Sequence, residues 1–233
     1  MLQVRQTFQK HRDEINLYFD FLDKIIIHDG RLIIDPPTDT IVPITIDTTA
    51  IAKASFFMML YNCVESTVGN CLKTLFKKIE EDDCKYADLI EPLQVAALAA
   101  YEYKINESDS KDNRAILLKQ QTDFITGASV AKLDIKSVVR SSSQGSFSGS
   151  LDSHEIKKIF GRLGLALSGL SCPEMMTIKV GRNKLAHGEL TFQEFGSTYP
   201  VQYLSVCKDN TLAYLNDLII EVDDFIMNHG YKK

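Results

Sequence analysis

Arg182 and His187, five residues apart in the segment Arg182-Asn183-Lys184-Leu185-Ala186-His187, are the pair in this chain whose types suit phosphoryl chemistry. A guanidinium is a permanent cation whose planar fork matches phosphate. An imidazole can give and take a proton near neutral pH. Cutting a ribose phosphodiester without a metal calls for both. The 2′-hydroxyl loses a proton as it attacks phosphorus, and the 5′-oxygen gains one as it leaves. Charge builds on the phosphoryl oxygens in between, where a fixed cation stabilises it.

The spacing sets a condition. Five residues on an ideal helix turn through about 500°, so the two side chains diverge by roughly 140° on an unbroken helix. A helix ending near Ala186 relaxes that constraint, with Gly188 releasing the chain. Pairing two such segments from antiparallel chains would relax it too. Taken alone, Arg-x4-His recurs by chance. Basic side chains near a helix C-terminus also serve the dipole and the last carbonyls.

Helices must supply the frame. Apolar residues at steps of three and four mark a helix over about 7–27, through Ile15, Tyr18, Phe19, Leu22, Ile25 and Ile26. Residues about 31–47 read as a small extended or β insertion, with β-branched runs bounded by Pro36-Pro37 and Pro43. The strongest helical pattern covers 48–80, through Ile51, Met58, Tyr61, Val64, Val68, Leu72, Leu75 and Ile79. Further helices are predicted over 88–103 and 114–124. The Ser/Gly-rich stretch at about 141–150 reads as a flexible loop. Asp152-x-x-Glu155 has capping-box spacing, and Ser171 is placed as the N-cap of the helix that leads into the Arg182 segment. The last helix is predicted over 209–228. These elements describe a mainly α antiparallel bundle in one domain spanning 1–233.

Composition narrows the function classes. The 233 residues are 45% hydrophobic and 24% charged, as in a globular protein, with a net charge of −5. No global positive field draws in nucleic acid, so RNA would need a local patch. Lys157, Lys158, Arg162, Lys179 and Lys184 lie on the two helices nearest the pair and are candidates, though solvated lysines explain any one of them. The five cysteines are odd in number and lack CxxC spacing, which predicts buried free thiols and no metal site. No cofactor motif appears, and no apolar run is long enough to span a bilayer. A soluble cytoplasmic protein is expected.

Arg182-Asn183-x3-His187 resembles the Arg-x(4–6)-His signature of the HEPN superfamily, with the Asn that often follows the Arg. Its surroundings resemble the bacterial MAE-type branch. The matching pieces are Leu60-Tyr61-Asn62-x-Val64-Glu65-Ser66, Phe147-Ser148-Gly149-x-Leu151-Asp152, and Leu185-Ala186-His187-Gly188-Glu189 with Phe192-x-Glu194. The resemblance implies a helical bundle and a homodimer with a composite active site between protomers. It implies metal-independent endoribonuclease activity, in a toxin or an antiviral or stress-defence effector held in check by an antitoxin or sensor. It makes Arg182 and His187 catalytic, with Asn183 supporting them, and suggests that Glu65 orients the arginine. Asn62, three residues earlier on the same side, is placed to join that network. Some HEPN toxins carry a Tyr two residues after the His that a partner modifies; here Glu189 stands there, which argues against that route. The alternative is a non-catalytic HEPN scaffold or a nucleotide- or RNA-binding module.

Overall fold

The computed structural model describes residues 1–27, 31–35, 40–130, 133 and 151–233, with the backbone alone for 27, 31–35 and 40–43. The 141–150 stretch expected to be a loop lies outside the described residues.

Helix α1 runs Leu2–Ile27, five residues earlier than its predicted start. Val4 and Phe8 extend the apolar stripe of Ile15 and Leu22 toward the N-terminus, and all four are buried. Strands β1 (Arg31–Asp35) and β2 (Thr40–Pro43) pair antiparallel, with Leu32 opposite Val42. The insertion therefore closes at Pro43, not at 47. Thr45 caps the next helix by accepting from the Thr48 N–H at 3.1 Å, so Ile46 and Asp47 are already helical.

Helix α2 (Ile46–Glu81) is the spine of the molecule. It carries a nearly unbroken buried stripe from Ala50 to Ile79, and α1 packs along it. A 3₁₀ turn (Tyr86–Asp88) follows, then α3 (Glu91–Asn106) and α4 (Lys111–Ile125), which pack on one another. Helix α5 (Ser153–Arg162) opens at the buried Asp152, whose carboxylate accepts the His154 and Glu155 N–H groups, each at 2.9 Å. Glu155 pairs with Lys158 at 3.1 Å and does not close the box on the cap.

Helix α6 (Glu174–Ala186) carries the Arg182 segment. Its cap position is held by Pro173 with no side-chain cap bond, so Ser171 does not serve as N-cap. The first turn is pinned by burial of Cys172 and Met175 and by the Met175 N–H to Cys172 carbonyl bond, which leaves the exposed Ser171 outside it. Helix α7 (Phe192–Ser197) is short and closed by a reciprocal Thr191–Glu194 capping box that the periodicity had not exposed. Helix α8 (Val201–Met227) begins directly after Pro200, eight residues before its predicted start, because Val201, Leu204 and Cys207 carry its buried face further back. Helices α6, α7 and α8 all pack on α2. The eight α-helices of the described residues form a bundle, as the mainly α reading of the sequence has it.

All five cysteines are buried and free. No helix among the described residues is long and apolar enough to cross a membrane.

Candidate functional site

The end of α6 builds the site. Ala186 is its last helical residue, and His187 takes the C-cap position with its N–H on the Asn183 carbonyl at 3.0 Å. Gly188 turns the chain into the left-handed region at φ 70°. Its N–H meets the Leu185 carbonyl at 3.3 Å, and the Glu189 N–H meets the Lys184 carbonyl at 2.9 Å. These two bonds make a Schellman turn, which satisfies carbonyls a helix end otherwise leaves open. The helix ends at Ala186, but His187 keeps right-handed helical backbone angles, so the roughly 140° divergence from Arg182 persists within one chain. The His187 side chain is left exposed on the last turn.

Arg182 sits differently. It is half-buried, and its guanidinium carbon lies 5.3 Å from the centroid of the Tyr61 ring on α2. That distance is a cation–π contact. Arg182 Nη1 also donates to Asn183 Oδ1 at 3.2 Å. Asn183, the predicted support, thus touches the arginine directly.

Tyr61 is almost fully buried. Its hydroxyl accepts the Leu151 N–H at 3.2 Å, and Glu65, one turn along α2, acts on it by its charge. Burial, reinforced by the Glu65 charge, raises the phenol to about 12 against the pull of the Leu151 N–H and of Arg182. The hydroxyl therefore stays protonated at neutral pH and holds geometry without moving protons. Glu65 is half-buried beside this ring, while Asn62 is exposed and makes no hydrogen bond to the cluster among the described residues.

The cations of the expected patch divide. Lys179 is committed to an ion pair with the buried Asp152 carboxylate. Burial works to raise that carboxyl, but Lys179 and the two backbone donors outweigh it and hold the group below its ordinary value of 3.8. Lys158 is paired with Glu155. Lys184 and Arg162 are exposed, Lys157 is half-buried, and none of the three has an ion pair among the described residues.

Close packing sets the height of α6. A Cβ added at Gly181, next to Arg182, would run into the Phe195 ring of α7. Phe195 in turn meets Phe57 of α2 edge-on at 5.1 Å between centroids. One at Gly196 would strike the Ala50 backbone of α2. Two absent side chains thus let α7 wedge between α2 and α6.

Two contributors are hard to see in the sequence. Tyr61 falls within the apolar stripe of α2, although a buried tyrosine needs a partner for its hydroxyl and so hints at a polar neighbour. Asp152 has the spacing of a helix cap, and its pairing with Lys179 across α5 and α6 leaves no local trace in the sequence.

A protein-family model described as MAE_28990-like HEPN matches residues 3–231. No curated protein matches the chain, and no solved structure does.

Proposed function

Because the chain belongs to the MAE_28990-like HEPN family, we propose that it is a metal-independent endoribonuclease with Arg182 and His187 as its catalytic pair. Two protomers pair so that their α6 termini face one RNA strand. Arg182 binds the scissile phosphate and stabilises the charge that develops on it. One His187 takes the 2′-hydroxyl proton as the P–O2′ bond forms. The partner protomer's copy of this imidazole, protonated, gives its proton to the 5′-oxygen as the P–O5′ bond breaks. The products are a 2′,3′-cyclic phosphate and a 5′-hydroxyl. Asn183 steadies the guanidinium, and Lys184, Lys157 and Arg162 offer the local positive charge that RNA binding needs.

One observation carries this reading: the Schellman turn ends α6 at His187, leaving an exposed imidazole close in sequence to an arginine seated on a buried ring. A purely structural arginine at a helix end has no need of that neighbour. A cutting enzyme of this kind acts in the cytoplasm as a toxin or defence effector, and it needs restraint by an antitoxin or a sensor protein.

The test is direct. Purified protein is incubated with total RNA and with tRNA, with and without EDTA. Cleavage that survives EDTA and disappears in His187→Ala is expected. RNA binding without cutting by the wild type would replace the nuclease with the binding-module reading.

A further inference from the structure

We propose that Tyr61 is a positioning residue for Arg182, its ring face forming the seat that holds the guanidinium toward the bound phosphodiester. The inference rests on the proposed role of Arg182 but is carried by geometry of its own. Three elements converge on this one side chain. The Arg182 guanidinium of α6 lies over the ring at 5.3 Å. The Leu151 N–H, from the residue before the Asp152 cap of α5, bonds the hydroxyl at 3.2 Å. The charge of Glu65, one turn along α2, bears on the same phenol. The Leu151 N–H anchors the hydroxyl, and the face of the ring meets the guanidinium from α6.

A second tether supports the seat. Lys179 lies one turn before Arg182 on α6 and pairs with the buried Asp152, the residue after Leu151. Residues 151 and 152 are therefore fastened to α2 through Tyr61 and to α6 through Lys179. The arginine is held against a platform that both neighbouring elements lock. A guanidinium is flexible and costly to order, so fixing it before substrate arrives lowers the barrier to reaction and changes binding much less.

The ring acts through its electrons, so the test varies them at constant shape. Tyr61 is replaced by Phe, and then by Phe bearing one and three ring fluorines, which progressively cancel the negative face. Single-turnover cleavage of tRNA and the NMR signal of the Arg182 Nε–H are followed together. The ring current should shift that signal upfield in the wild type and in Tyr61→Phe. Cleavage is expected to fall by about 2- to 30-fold across the fluorinated series, with KM nearly constant. A ring that merely fills space would give equal rates throughout the series, and either that result or an unshifted Arg182 signal in the wild type overturns the proposal. If the wild type does not cleave RNA, the nuclease reading fails separately. The Arg182 signal then decides alone: an upfield shift that Tyr61→Leu abolishes upholds the seat, and an unshifted signal refutes it.

Discussion

At the scale of single residues, the site divides its labour by burial. His187 is exposed and Arg182 is half-buried, and the tyrosine beneath the arginine is almost wholly enclosed. The group proposed to move protons faces solvent, while the groups that hold geometry do not. His187→Ala and Arg182→Ala are each expected to lower the rate of RNA cleavage by about 10²- to 10⁴-fold, with little change in thermal stability. Cleavage by His187→Ala within threefold of wild type would remove the histidine from the mechanism. Lys179 behaves as a structural cation. Lys179→Met strands the Asp152 carboxylate in the interior with only its two backbone donors, at an expected cost of about 2–3 kcal/mol in urea unfolding. The sign of the pH dependence follows from the depressed carboxyl. The pair's contribution is fully present above 3.8 and is lost as the pH falls through the lower folded value. The destabilisation by Lys179→Met should therefore be largest near neutrality and shrink in acid.

At the scale of elements, two features place the pair: where α6 ends and how closely it lies on α7. The first is local. Gly188 supplies the left-handed residue that a Schellman turn requires, so the stop at Ala186 could be read from Leu185-Ala186-His187-Gly188. The second is not local. Gly181 lets the Phe195 ring lie against the α6 backbone, and nothing near residue 181 in the sequence announces a phenylalanine 14 positions on. Gly181→Ala should lower stability by about 1–3 kcal/mol as the ring is pushed aside, despite the better helix propensity of alanine. It should also reduce cleavage, because Arg182 moves with the helix. A rise in the melting temperature on this substitution would show that α6 and α7 have room to spare. The starts of α1 and α8 lie earlier than the sequence pattern suggests, because Val4 and Phe8, and Val201, Leu204 and Cys207, are recognisable as core only once their partners are known.

At the scale of the whole molecule, burial of ionisable groups shapes the response to alkali. The Tyr61 phenol and the Cys63, Cys71 and Cys207 thiols are all raised to about 12 by burial, from ordinary values of 10.0 and 9.0. A raised folded value means stability that is complete below the unfolded value and lost as the pH climbs to the folded one. The melting temperature should hold up to about pH 9 and then fall steeply toward pH 12, with the Tyr61 share of the tyrosinate absorbance appearing only together with unfolding. Early, gradual titration of the thiols in the folded protein would contradict the buried assignment. Assembly gives a second expectation at this scale. If the site is shared between protomers, cleavage per chain should rise with protein concentration until the dimer saturates. A specific activity that stays flat on dilution to a demonstrated monomer would rule out the shared site.

The helical class of the fold, the glycine that stops α6 and the family were all legible in the chain itself, as was the spacing of the Arg-x4-His motif on which the proposed function rests. Each is written in short-range terms: a period of three to four, a turn residue, a motif. The seat under Arg182, the pairing of Lys179 with Asp152 and the wedge of α7 between α2 and α6 came only with the folded structure. They join residues 14 to 146 positions apart through packing and charge, and a linear sequence carries no record of which distant side chains will meet.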